Sequence, residues 1–361
     1  MNELLFADAR VRELSSDHTL PAKFHRLLKR LDLESTVKDR SVAIKMHLGG
    51  HLGYTTIRPL FVRMLVEECR QAGASSVAVM DGDVAGAPGR GYTPEVVGAP
   101  IVSCFGWTGD YLYKRKIGFG ELKEAIYGGN AWDAEVFIDL SHVKGHGNCG
   151  FGGAIKNIGM GCVIGKTRGA VHHLAGGIVW DGEKCIHCGK CIEECPNNVN
   201  SFDEQGTYNV SWHSCTFCQH CVMICPEEAL TPDADRFDAM QEGLAHVAAV
   251  FLKHFKPDRL LFINILTDIT IYCDCWGMST PPLVPDIGIL AGRNIVAVDK
   301  ASLDKIKSSK LMPEGLPIGG KPMRKKGHLF QRLHGKDPYA QVRKLDELGF
   351  GPADYKIVEV R

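Results

Sequence analysis

Residues 41–81 read SVAIKMHLGGHLGYTTIRPLFVRMLVEECRQAGASSVAVMD. SVAIKMHL is an apolar run of strand length, residues 56–72 carry the period of an amphipathic helix, and SSVAVMD forms a second short apolar run after the breaker Gly73. A strand, a crossover helix and a strand make a βαβ unit, which places the two strands parallel. Outward from there, residues 83–99 read as loop, IVSCF (101–105) as a third strand, GELKEAIYG (120–128) as a short helix and AEVFIDL (134–140) as a strand. The rhythm stops near Asp181 and resumes near Asp233, where DRFDAMQEGLAHVAAVFLKHF predicts a long helix and RLLFINIL a strand, followed by DIGILAG and NIVAVD. The expected fold is α/β: an open, mainly parallel sheet with helices on both faces, interrupted by a small α+β insert. The expected boundaries are 1–181 plus 232–310 for the discontinuous α/β domain, 182–231 for the insert, and 311–361 for a basic, turn-rich C-terminal tail with one helix.

The 361 residues balance 42 Lys and Arg against 42 Asp and Glu. Zero net charge argues against a general nucleic-acid binder. No stretch reaches the ~20 apolar residues of a membrane helix, and the opening MNELLFADARVRELSSDH lacks an apolar signal core, so a cytoplasmic protein without a membrane partner is expected. In that compartment 14 cysteines point to metal or iron–sulfur ligation ahead of structural disulfides.

Eight of those cysteines form a repeat inside the insert. Cys185, Cys188, Cys191 and Cys195 precede Pro196, and the pattern recurs thirty residues on as Cys215, Cys218, Cys221, Cys225 and Pro226. Each run is C-x2-C-x2-C-x3-C-P, the spacing that ligates cubane iron–sulfur clusters, with the fourth cysteine of each run serving the other cluster. The expected sets are Cys185, Cys188, Cys191 and Cys225 on one [4Fe–4S] cluster, and Cys215, Cys218, Cys221 and Cys195 on the other. Zinc sites instead use paired C-x2-C units separated by a long gap. The stretch resembles bacterial two-cluster ferredoxins. His187, Lys184 and His213 fall close to the runs, where charge or hydrogen bonds could tune a cluster.

Residues 141–180 hold 11 glycines and no acid, with Lys144, Lys156, Lys166, Arg168 and four histidines. The stretch begins where AEVFIDL ends, and open α/β sheets bind ligands at the carboxyl ends of their strands. The first strand ends similarly, with Lys45, His47, His51 and Arg58 around Gly49-Gly50. The two segments predict an anion site for a carboxylate, a phosphate or a phosphorylated cofactor. Gly152, Gly153, Lys45 and His47 are the candidate cofactor-binding residues, and a helix starting near Ala154 would offer its positive end. There is no G-x4-G-K-[ST] string and no complete G-x-G-x-x-G string opening the first helix, so nucleotide-binding signatures are missing.

SHVKGHGNCGFGGAIKN, GMG, the two cysteine runs and CDCWG…PPLVPDIGILAGRNIVAVDKAS together resemble the iron–sulfur family known as domain of unknown function 362, over roughly residues 40–310. The resemblance implies an α/β domain with a ferredoxin-like insert and an association with redox metabolism.

Outside the runs lie Cys69, Cys104, Cys149, Cys162, Cys273 and Cys275. Cys273-Asp274-Cys275 follows the strand RLLFINIL. The pair reads either as buried structural thiols or, with His142 or His146, as a soft-metal site, and an additional metal or a flavin is a further possible cofactor. Two functional readings follow. In the first, an oxidoreductase passes single electrons from the clusters to an anionic small molecule held by Lys144, His146, Lys156 and Asn157, with a histidine supplying the compensating proton. In the second, a non-catalytic electron carrier uses the α/β domain to dock its partner. Either reading requires a redox partner protein or a small electron carrier.

Overall fold

The computed structural model describes residues 2–50, 53–211, 215, 218–233, 236–275, 279–318, 323 and 325–361. His51 and His213 lie outside the described residues.

An eight-stranded sheet organises the chain. In sheet order its strands are Tyr355–Glu359, Asn2–Asp8, Gly288–Gly292, Leu260–Leu266, Val136–His142, Ser41–Lys45, Ser76–Asp81 and Ile101–Ser103. Gly288–Gly292 pairs antiparallel with both of its neighbours, and every other pairing is parallel.

Alternation within the strands explains the two cores. Val42, Ile44, Val136, Ile138, Leu140, Ile263 and Ile265 pack with Phe24, Leu27, Phe61 and Leu65 from helices Leu20–Arg30 and Pro59–Gln71. Their sequence neighbours Ala43, Phe137 and Phe262 turn to the opposite face, among Ile155, Ile158, Leu244, Phe251 and Val298. The helices on that face are Ala154–Gly161, Phe237–Leu252 and Ile295–Lys307. Buried strands apolar on both faces are what a mostly parallel sheet requires.

Two sequence expectations are corrected. GELKEAIYG is not a helix: Leu122–Gly128 is a strand, paired antiparallel with Leu112–Phe119 in a hairpin. Its Glu, Leu, Lys and Ala favour a helix locally. Tertiary packing wins, because Ala125 and Tyr127 point together into the core and the Tyr127 hydroxyl donates to the Val247 carbonyl at 2.8 Å. The segment 311–361 is not a mere tail either. It supplies helices Leu329–His334 and Ala340–Leu345, and its strand Tyr355–Glu359 completes the sheet edge beside Asn2–Asp8.

The cysteine-rich insert around 185–225 is closed at its base, where Ile178–Trp180 pairs antiparallel with Leu230–Pro232. Inside it lie two short helices, Lys190–Glu193 and His220–Ile224, and the strand pair Asn200–Phe202 with Tyr208–Val210. No helix among the described residues is long and apolar enough to cross a membrane.

Phe251 is fully buried, with its ring against Tyr127, Trp132, Phe137 and Phe255. Phe251→Ala should lower folding stability by about 3–5 kcal/mol. Denaturant unfolding checks this, and an unmoved midpoint would contradict the packing.

Candidate functional site at the strand ends

The parallel strands Ser41–Lys45, Ser76–Asp81 and Val136–His142 deliver Lys45, Asp81 and Asp139 to one buried place, with Lys45 in register with Asp139. Lys45 Nζ donates to Asp81 Oδ1 at 3.0 Å, to Asn157 Oδ1 at 2.7 Å and to the Met46 carbonyl at 3.1 Å. The Asn157 amide donates in turn to Asp139 Oδ2 at 2.8 Å. Asp81 also accepts from the Leu48 and Gly82 amides and contacts His47 Nδ1 at 3.0 Å. Burial works to raise the Asp81 carboxyl, but Lys45, His47 and the Leu48 amide outweigh it and hold it well below the usual carboxylate range. Burial dominates at Asp139 and pushes it up to about 8.

A second buried cluster joins Asp274 to His142 Nδ1 at 2.9 Å and to Lys144 Nζ at 3.0 Å. The other ring nitrogen of His142 meets the Thr267 carbonyl at 2.9 Å. The loop bearing Asp274 lies tight against two glycines. Gly50 N donates to the Asp274 carbonyl at 2.9 Å, and a Cβ on Gly50 would collide with the Cys275 carbonyl. A Cβ on Gly145 would collide with the Ile271 carbonyl.

Above these clusters opens a cavity of about 400 Å³. All eight predicted anion-site residues line it: Lys144, His146, Lys156, Asn157, Gly152, Gly153, Lys45 and His47. Sequence reasoning gave Lys144, His146, Lys156 and Asn157 to a substrate and Gly152, Gly153, Lys45 and His47 to a cofactor, and the structure gathers both sets around one space. Lys45 and Lys144 are already paired with carboxylates, and both ends of the Asn157 amide are engaged beneath the cavity floor. Lys156 and Arg168, both lining the cavity, form no ion pair among the described residues, and Arg168 Nε and His47 Nε2 are buried without a hydrogen-bond partner. Burial lowers Lys156 to about 8. Burial also lowers His47 and His146, and takes His172 down to about 3. These rings are therefore neutral near pH 7.

The helix expected near Ala154 exists, but its amino end is not open to a ligand. The Ala154 and Ile155 amides donate to the two oxygens of Asp299, each at 2.9 Å. Sequence reasoning missed this cap because Asp299 comes from a helix far along the chain. It also passed over Asp81 and Asp139, although the aspartates that end SSVAVMD and carry AEVFIDL to its close were the available signal.

Cys273 and Cys275 sit in a turn after the strand has ended, and their sulfurs are bonded to one another. A ring nitrogen of His146 and both sulfurs lie within 4.8 Å of one another. A chelating thiolate pair would need that bond opened, and His142, the other histidine considered, has both nitrogens engaged. Cys69, Cys104, Cys149 and Cys162 are buried free thiols.

In the insert, Cys185, Cys188, Cys191 and Cys225 line one small cavity, and Cys195, Cys215, Cys218 and Cys221 line a second. Four thiols around each small cavity is a donor set suited to an iron–sulfur centre. The thirty-residue repeat extends to the backbone: Gly189 and Gln219 both have positive φ, as do Asn198 and Glu228. The Val199 amide donates to Cys195 Sγ at 3.4 Å, and its repeat mate Ala229 donates to Cys225 Sγ at 3.3 Å. Pro196, Asn197, Cys218 and His220 of the insert line the large cavity together with Lys156.

Over 54 residues the chain is 35% identical to a ferredoxin of Pyrobaculum islandicum, which covers 15% of this chain and 50% of the ferredoxin. It is 34% identical over 53 residues to the pyruvate synthase subunit PorD of Methanocaldococcus jannaschii, covering 15% of this chain and 62% of that one. The chain thus spans about half to two thirds of the length of these relatives. Among solved structures, the lactate racemase apoprotein from Thermoanaerobacterium thermosaccharolyticum aligns with a TM-score of 0.35 and 13% identity, over 68% of this chain and 49% of that one. The family model described as domain of unknown function (DUF362) matches residues 42–304. An α/β sheet carrying a ferredoxin-like iron–sulfur electron-transfer segment is thus the form taken here by a family to which this chain belongs, DUF362.

Proposed function

We propose that the protein is an oxidoreductase that holds two [4Fe–4S] clusters and passes single electrons to an anionic substrate or cofactor bound in the 400 Å³ cavity. The observation that carries this reading is the composition of one wall: Cys218, of the second cysteine set, lines the same cavity as Lys156 and Arg168. Such clusters, when bound, exchange one electron at a time. Lys156 and Arg168 supply the positive charge that Lys45 and Lys144 have already given to Asp81 and Asp274. An acceptor that gains an electron becomes more negative, so fixed cations beside it stabilise the reduced form more than the starting one. Lys156, with its ammonium titrating at about 8, can also release the compensating proton near neutral pH. The amides of Val199 and Ala229 place partial positive charge at two ligand sulfurs, which favours the reduced state of each centre.

Anaerobically purified protein should carry about eight iron atoms and eight acid-labile sulfides per chain. Cys195→Ala should remove mainly the centre held by Cys215, Cys218 and Cys221. Elemental analysis giving zinc without sulfide would sink the cluster assignment.

Lys156→Met should weaken binding of small anions, probed with phosphate and oxalate by calorimetry, roughly 10- to 100-fold while the iron–sulfur absorption stays intact. In the parent, affinity should be fully present below pH 8 and fall as pH rises through about 8, because the Lys156 pKa lies below that of an ordinary lysine and its charge is lost there. If neither substitution nor pH affects anion binding, the chain is better described as an electron carrier.

A further inference from the structure

We infer that Cys273 and Cys275 form a reversible dithiol–disulfide couple in the wall of the cavity. A bridge across one intervening residue closes a very short loop and removes little chain entropy, so it contributes little as a staple. Its location gives it another use. Cys275 lines the same cavity as Lys156 and Cys218, while Cys273 lies behind it at 2% exposure.

The surroundings hold the sulfurs in place whether or not they are bonded. Between them, Asp274 is fixed by His142 and Lys144 through its carboxylate and by the Gly50 amide through its carbonyl. Just upstream, the Thr270 carbonyl accepts from Gly145 N at 2.9 Å, and the Ile271 carbonyl meets the His334 ring at 2.9 Å. Opening the bond therefore does not release the loop, and the two thiols remain placed to close again. His146 completes the arrangement. Its Nδ1 accepts from the amides of Asn148 at 3.1 Å and Cys149 at 3.3 Å, so the proton of the neutral ring resides on Nε2. The ring stays beside the pair, with a nitrogen within 4.8 Å of both sulfurs.

On reduction the S–S bond breaks, and each sulfur takes one electron and one proton. The electrons arrive in two deliveries from a low-potential one-electron donor, and the protons come from solvent through the cavity. In the reverse direction the dithiol yields two electrons and two protons to an acceptor in the cavity as the S–S bond re-forms, which converts a one-electron supply into a two-electron reduction. The inference builds on the proposed function in one respect, the delivery of electrons by way of the insert.

The test is thiol mapping on anaerobically purified holo-protein, with iodoacetamide under denaturing quench and peptide mass spectrometry. Before reduction the peptide holding Cys273 and Cys275 should carry no alkyl group. After titration with dithionite and methyl viologen, both sulfurs should be alkylated. Coulometry on Cys275→Ser should show uptake of two electrons fewer per chain than the parent, whereas Cys69→Ser should match the parent. If Cys275→Ser fails to fold, the mapping of the native chain decides. Alkylation of either sulfur before any reductant overturns the inference. A bridge that persists after the iron–sulfur absorption is fully bleached overturns it too. So does a non-cluster metal ion that Cys273→Ser releases. None of these results bears on anion binding by Lys156, so the two proposals fail separately.

Discussion

A lysine with no exposure at all sits where three parallel strands end, and the rest of the site depends on satisfying it. Lys45 has Asp81 within 3.0 Å and the Asn157 amide within 2.7 Å. An ammonium in that position is tolerated only if it is paired and its hydrogens are used. The requirement spreads outward. Gly161 must lack a side chain, because a Cβ there would collide with Lys45 Nζ. Asn157 must bring its helix close enough to bridge Lys45 and Asp139, and that helix is held at its start by Asp299. With Asp139 raised to about 8 by burial, the lower cluster holds one full cation against one full anion near neutral pH.

This neutrality gives the cavity its sign. The upper cluster sets Lys144 against Asp274, with His142 as a hydrogen-bonding partner. What remains facing the space is Lys156 and Arg168, with histidines that burial holds neutral. A segment without acids is therefore an incomplete guide to positive potential. Asp81, at the end of another strand, and Asp274, in a turn, cancel the charges of Lys45 and Lys144.

What could be read in the sequence follows from how local each feature is. The cysteine spacing specified two thiol sets because a loop of fixed covalent length decides which sulfurs meet, and the structure gathers Cys225 with the first run and Cys195 with the second. The βαβ rhythm was legible for the same reason. The hairpin at 112–128 and the edge strand at 355–359 were not, since their states are set by partners in helix Phe237–Leu252 and strand Asn2–Asp8. At the site, the lining residues were visible as residue types at strand ends. Whether each lysine was committed or available was not, because Lys45 and Asp81 are 36 residues apart and Lys144 reaches Asp274 from another strand end.

The paired base of the insert, Ile178–Trp180 against Leu230–Pro232, bears on how the sheet assembles. The cost of bringing distant chain segments together rises with the length of flexible chain between them. Once these two short strands have zipped, the intervening stretch no longer behaves as slack. Helix Gly165–His173, just before the base, and helix Phe237–Leu252, just after it, then find each other as if separated by a short turn, so folding of the host is buffered against changes of length inside the cysteine-bearing segment.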